Sequence, residues 1–146
     1  MKNHNINTIL KGKSGEHYFI YEVMKRGYNI AQSLQEDSAY DFILDNGRKC
    51  IKIQFKACFN PKIDIIKKGK YVSKLKRHFF RLKRNSNKNY SKKEVDFIVC
   101  FLDETKDFYI LPISVASKIK SLTINLENKT KTKYYRYINA WNMLLE

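Results

Sequence analysis

Apolar residues in this chain recur at spacings that change along its length, and the changes mark out its elements. Between Ser14 and Arg26, Phe19, Ile20, Val23 and Met24 follow one another at helical spacing. Ser14 reads as the N-cap of that helix and Gly27 as its C-cap. A short strand is expected near Tyr28–Gln32. Two apolar-rich runs, about Tyr40–Asp45 and Lys49–Cys58, flank Asn46-Gly47, the dipeptide that best signals a tight hairpin. Val95–Leu102 reads as a buried strand, Asp103–Asp107 as a turn and Phe108–Ile113 as a further strand. Ser114 is placed to cap a short helix through Lys118, and Arg136–Leu145, carrying Ile138, Trp141, Leu144 and Leu145, reads as a last helix. Lys74–Lys83 reads equally well as helix or strand. The sum is an α/β fold with a mixed central β-sheet flanked by helices.

The hairpin has a consequence for chemistry. With Asn46-Gly47 as a two-residue turn, Asp45 lies opposite Arg48, and Asp41 lies opposite Lys52 and diagonal to Gln54. Alternation puts Lys52, Gln54 and Lys56 on one face and Ile51, Ile53 and Phe55 on the other, with Asp41 on the polar side. A carboxylate, an amide and an ammonium then converge, which suits a divalent metal and a phosphate. An ordinary cross-strand pair of Asp41 with Lys52 is the plainer account of the same spacing. Glu16 lies three and four residues before Phe19 and Ile20, so it joins the apolar stripe of its helix. A carboxylate there needs a partner or a metal. Its expected place in the first turn also favours a negative charge.

The ordered set Gly12-Lys13-Ser14-Gly15-Glu16, Arg26-Gly27-Tyr28-Asn29-Ile30, Ser38-Ala39-Tyr40-Asp41 and Gln54-Phe55-Lys56 resembles the PD-(D/E)XK nuclease superfamily. Within it the chain is similar to the small group I intron homing endonucleases of this fold and to archaeal Holliday junction resolvases. The resemblance covers roughly residues 11–57 and extends more loosely through 94–99 and 108–113. It implies a restriction-endonuclease-like core in which Glu16, Asp41, Gln54 and Lys56 form the active site. Gln54 departs from the pattern, because most members carry Glu there. A Mg²⁺ ion, or Mn²⁺ in its place, is implied, held by Asp41, by Gln54 through its amide oxygen and by the carbonyl of Phe55, with Glu16 holding a metal-bound water or a second ion. Lys56 is then expected beside the attacking water and the scissile phosphate.

Composition sharpens the partner. The 146 residues carry a net charge of +15 with 43% hydrophobic content, the size and make-up of one domain with an anionic partner. The charge is concentrated between Lys62 and Lys93, where Asp64 is the main acidic exception and Tyr71, His78, Phe79, Phe80 and Tyr90 interleave with the bases. This basic insertion, about residues 60–93, is the expected DNA surface. Lys74, Lys76, Arg77, Arg81, Lys83 and Arg84 within it, and Lys52 on the hairpin before it, are the candidate DNA contacts. Arg77, Arg81 and Arg84 suit guanine and would share a face if the segment were helical. Ser38 and Tyr40 flank Asp41 and are placed to touch phosphate, and Asp96 reads as packing or capping.

Other chemistry finds little support. Cys50, Cys58, Cys100, His4, His17 and His78 are scattered, with no zinc-ligand spacing, which suits free thiols in a reducing compartment. No phosphate-cradling glycine loop, secretory signal or bilayer-long apolar run is present, so an intracellular protein of the cytoplasm or nucleoid without a membrane partner is expected. The leading reading is a Mg²⁺-dependent DNA endonuclease of the sequence-specific homing kind, acting as a homodimer or homotetramer on duplex DNA. A Holliday junction resolvase acting on branched DNA, a non-catalytic DNA-binding module that keeps the fold, and an RNA-directed nuclease are the alternatives.

Overall fold

The computed structural model describes the backbone of residues 2–84 and 88–146 and the side chains from Asn7 onward, so His4 and residues 85–87 of the insertion lie outside the described side chains. The chain opens with helix α1, Lys2–Lys25, and continues through β1 (Asn29–Gln32), β2 (Phe42–Asp45) and β3 (Cys50–Cys58). The insertion contributes β4 (Lys62–Lys68) and β5 (Tyr71–Arg81). Then come β6 (Phe97–Leu102), β7 (Asp107–Pro112), the short helix α2 (Ile113–Ala116), β8 (Ser121–Ile124) and three 3-10 turns. Five strands form a mixed sheet in the order β1-β2-β3-β6-β7, parallel only between β3 and β6. The other three form a second sheet in the order β4-β5-β8. Among the described residues no helix is long and apolar enough to cross a membrane.

Both faces of the five-stranded sheet are covered. On one, Ile51, Ile53, Phe55, Val99 and Phe101 pack under Phe19 and Val23 of α1. On the other, Ile98, Cys100 and Leu102 meet Phe80 of β5, Leu122 and Ile124 of β8, and Ile113 and Ala116 of α2. The face that carries Lys52, Gln54 and Lys56 is therefore next to a second core and not simply wet.

Helix α1 runs longer than its sequence signals suggest. Ser14 sits inside it, and its hydroxyl donates back to the carbonyl of Lys11 at 2.7 Å instead of capping. Glu16 is consequently not in a first turn, and the helix dipole does not account for it. The stripe facing the sheet is Gly15, Phe19 and Val23, while Met24 is 62% exposed. Gly15 has a steric reason: a Cβ there would meet the Cβ of Ala57 at 3.2 Å and a ring carbon of Phe101 at 3.3 Å. The helix thus lies close on β3, with Glu16 at the edge of the contact. It ends as expected at Gly27, φ +82°, whose N–H donates to the Met24 carbonyl while that of Tyr28 reaches Val23.

The β2–β3 loop holds four residues, not two. Asp45 pairs with Cys50 and Ile43 with Lys52, so the register is shifted two residues from the expected one. The cause is Asn46: its side-chain oxygen accepts from both Arg48 and Lys49, each at 3.0 Å, and closes a wider turn. Because the side-chain period is two, the slip leaves every residue on its expected face. Asp41 now falls level with Gln54 instead of Lys52.

Three further expectations change. Lys74–Lys83 is largely strand: residues 74–77 pair with β4 in a ribbon turned at Gly69, and residues 78–81 pair with β8. Ser114 does not cap α2; Pro112 holds the N-cap position, with no side-chain bond. The expected C-terminal helix is broken into turns at Tyr135–Tyr137 and Trp141–Leu144 around Asn139, which adopts φ +51°. Asn139 takes a strand-like place beside β7, donating its N–H to the Phe108 carbonyl and accepting that residue's N–H on its side chain.

Candidate active site

Asp41 stands just before β2, locked by its backbone. Its N–H donates to the Ile53 carbonyl at 2.9 Å, and its carbonyl accepts from Ser33 at 2.8 Å. The side chain then reaches over β3. Its Oδ2 accepts the N–H of Phe55 at 2.7 Å and the amide of Gln54 at 2.5 Å. Among the described residues no donor meets Oδ1. Burial raises the Asp41 pKa above the ordinary aspartate value, the Phe55 N–H opposes this, and the charge of nearby Glu16 adds to it. Lys56 and Lys13 pull the other way. An anion so placed gains from a cation.

Glu16 comes to the same place from α1. Its Oε2 accepts from Lys13 at 2.9 Å and from Gln32, at the end of β1, at 3.0 Å. It borders two adjoining clefts. One, of about 440 Å³, is lined with Phe55, Lys56 and Ala57; the other, of about 540 Å³, with Lys13, Gln32 and Asp41. Lys56 projects from β3 with its Nζ 3.4 Å from the Tyr90 hydroxyl and 5.8 Å from that ring's centre. Beneath it Cys100 is fully buried, and burial pushes its thiol and that of Cys58 up, away from the thiolate form that a nucleophile needs.

Glu16, Asp41, Gln54 and Lys56 are therefore brought together where α1 meets β1, β2 and the central strand β3. In each carboxylate one oxygen is tied by two protein donors, and the other is met by none among the described residues. With the Phe55 carbonyl these make an all-oxygen donor set, which fits a hard divalent ion such as Mg²⁺. Gln54 is 8% exposed, and its amide nitrogen lies between Asp41 Oδ2 at 2.5 Å and the Phe55 carbonyl at 3.3 Å. An N–H donor thus faces the Asp41 carboxylate and the Phe55 carbonyl, two groups that would hold a cation. Turning the amide over presents Oε1 in its place.

The proposed DNA contacts divide. Lys74 and Lys76 are exposed along β5, with Lys76 reaching Glu104 at 2.5 Å. Arg77 pairs with Asp64 across the ribbon, and Arg81 is exposed on the same face. Lys83 and Arg84 lie beyond the strand and do structural work: Lys83 meets Asn89, and Arg84 meets Glu94 at 2.5 Å and the Asp37 carbonyl. Lys52 donates to the Lys93 carbonyl at 2.6 Å. Asp96 accepts the Lys52 N–H at 2.8 Å, fastening the start of β3 in the capping role expected of it. Sequence reasoning missed Lys13, Gln32 and Tyr90. Only Lys13, three residues before Glu16 on the helix, carried a readable signal.

A mixed sheet with an aspartate and a lysine over its central strand and a glutamate from the covering helix defines a class, and comparison with known proteins agrees. A family model described as PD-(D/E)XK endonuclease matches residues 6–144. The chain belongs to that family. Among solved structures it is similar to the bacterial homing endonuclease I-Ssp6803I, at 20% identity and a TM-score of 0.74, covering 94% of this chain and 93% of that one. The Holliday junction resolvase Hjc of Archaeoglobus fulgidus aligns at 12% identity and a TM-score of 0.48, over 80% of this chain and 85% of that one. No curated protein sequence matches the chain.

Proposed function

We propose that this chain is a Mg²⁺-dependent DNA endonuclease that cuts duplex DNA at a long, specific site. The observation that carries the reading is the pair of half-engaged carboxylates, Glu16 and Asp41, converging beside Lys56 at the root of a basic ribbon. Mg²⁺ supplies charge neutralisation at the scissile phosphate and a bound water of lowered pKa. Asp41 is the fixed ligand, since its backbone and Oδ2 are already held. Glu16 would hold a water at that ion, and the Phe55 carbonyl and a turned Gln54 amide would complete the set. Gln54 brings no negative charge, so the ion is held less tightly than by a third carboxylate. Lys56 orients the attacking water and offsets charge developing on the phosphate.

The ribbon supports the partner. A two-stranded β-ribbon fits the major groove of duplex DNA. Here it carries Lys74, Lys76, Arg77 and Arg81, with Tyr71 82% exposed and Ile63 and Ile65 each 60% exposed. Lysines on phosphates position such a ribbon, and arginines and apolar side chains read bases. One such site cuts one strand, so a double-strand cut requires at least two copies, as a dimer or tetramer. The likeness to a bacterial homing endonuclease supports the long-site subtype.

The test is cleavage of a randomised duplex library and of a four-way junction, in Mg²⁺ and in EDTA. Mg²⁺-dependent duplex cutting is expected, lowered by about 10²–10³ or more in Asp41→Ala and in Lys56→Ala. Cutting that survives EDTA or Asp41→Ala overturns the mechanism. Cutting of the junction alone makes the protein a resolvase, and salt-sensitive binding of both DNAs without cutting makes it a binding module.

A further inference from the structure

Two donors, Lys13 Nζ and Gln32 Nε2, meet the same Glu16 oxygen. We propose that they divide the work: Gln32 is the positioning residue that sets Glu16 for a divalent cation at its other oxygen, and Lys13 balances the Glu16 charge until that cation arrives. The proposal rests on the reading of this site as a metal-dependent nuclease.

Gln32 is the last residue of β1 and lies opposite Phe42, the residue after Asp41. The next residue, Ser33, donates its N–H to the Asp41 carbonyl at 2.8 Å. Consecutive residues of one strand end therefore hold both carboxylates, Gln32 through its amide on Glu16 and Ser33 through its backbone on Asp41. Glu16 comes from a helix and Asp41 from a sheet, and this strand end ties the two. The spacing of two metal-binding carboxylates is the quantity such a tie controls.

The chemistry of the donors separates their roles. The Gln32 amide is neutral, so it orients Glu16 without opposing a cation at the other oxygen. Lys13 is a cation one helical turn away on the same helix, with 56% of its side chain exposed, so it swings into water readily. While it sits on Glu16 it neutralises the charge that a metal needs, and it repels that metal. Removing the two donors should therefore act in opposite directions.

The measurement is a Mn²⁺ titration of the full chain without DNA, followed by electron paramagnetic resonance of free Mn²⁺. Gln32→Met keeps the side chain's length and removes the donor; Gln32→Thr is a second, strand-favouring variant. Each should weaken Mn²⁺ binding by about tenfold while melting with the unaltered protein. Lys13→Met should bind Mn²⁺ at least as tightly as the unaltered chain. Gln32 acts through Glu16, so Glu16→Gln with Gln32→Met should bind no more weakly than Glu16→Gln alone. Unchanged affinity in both Gln32 variants, or an undiminished Gln32 effect in the Glu16→Gln background, overturns the positioning role. Weakening by Lys13→Met equal to that by Gln32→Met overturns the division. If the unaltered chain shows no saturable Mn²⁺ binding, the metal reading of the site falls first and takes this inference with it.

Discussion

Ile53 in β3 and Ile65 in β4 are the same residue in the same secondary structure, yet Ile53 is wholly buried and Ile65 is 60% exposed. β3 has a strand on each side and a core over each face. β4 has one neighbour, β5, and is the edge of its sheet. The lysines differ in the same way. Lys52 and Lys56 on β3 are half-buried and committed to the Lys93 carbonyl and to Tyr90, whereas Lys74 on β5 is exposed. A region that must hold two carboxylates and a lysine at fixed spacing is over-determined by packing. The ribbon proposed to meet DNA instead keeps Lys74, Ile63 and Ile65 exposed, and its ion pairs, Lys76 with Glu104 and Arg77 with Asp64, lie at the surface. The long exposed edge would invite self-pairing, and β4 blunts that with Lys62, Lys67 and Lys68.

The sharpest way to break this contrast is to truncate one apolar residue in each region. Phe19 contacts Phe42, Phe55 and Trp141 at centroid distances of 5.5, 5.4 and 6.0 Å. Phe19→Ala should lower unfolding free energy by about 3–5 kcal/mol in a urea titration. Ile65→Ala should change it by no more than about 0.5 kcal/mol. A comparable loss in both would mean that the ribbon is packed against something in solution.

Charge gives the next comparison. Lys74→Ala on the ribbon should weaken binding to all duplex sequences and reduce the slope of log affinity against log salt by about 1. Lys52→Ala, at a lysine already engaged with backbone, should leave that slope nearly unchanged. Fluorescence anisotropy across a salt series reads both. An equal fall in slope for Lys52→Ala would move the DNA track onto the sheet itself.

The same division explains what could be read from sequence. Asp41, Gln54 and Lys56 were legible because strand alternation fixes faces and survives even the two-residue slip at Asn46. Glu16 was legible from its place on the helix, although Ser14, a good cap in isolation, bonds backward inside a longer helix. What stayed hidden depends on partners remote in sequence. Gln32 reaches Glu16, and Tyr90 reaches Lys56, only after the sheet and the insertion have folded. Strand β8, Ser121–Ile124, is short and finds its partner far upstream in β5. Asn139 breaks the expected last helix because its side chain completes the pairing of Phe108, a contact that no local pattern announces. The residues in Lys74–Lys83 alternate too weakly to choose a period, and pairing with β4 settles the matter.

The smallest expected effect concerns stability at two carboxylates. Asp64 sits on the ribbon in an exposed ion pair with Arg77, worth little in water. Asp41 is buried enough that its folded-state pKa lies above the ordinary value of about 3.8. The folded protein therefore holds the Asp41 proton more tightly than the unfolded chain does. The stabilisation this brings is complete below that ordinary value and is lost as pH rises through the folded pKa. At neutral pH the Asp41 anion is thus a net destabilising group, kept for what it can bind. Asp41→Asn should raise Tm at pH 7 and do so less at pH 3.5, since the Asn side-chain oxygen can still accept both the Phe55 N–H and the Gln54 amide N–H. Asp64→Asn should leave Tm nearly unchanged at both. Adding Mg²⁺ at pH 7 should raise the Tm of the unaltered protein and leave that of Asp41→Asn where it was, because a ligand stabilises only the state that binds it. A lower Tm for Asp41→Asn at neutral pH would place Asp41 among the residues that hold the sheet together, and the contrast between a buried site and an exposed ribbon would then rest on packing alone.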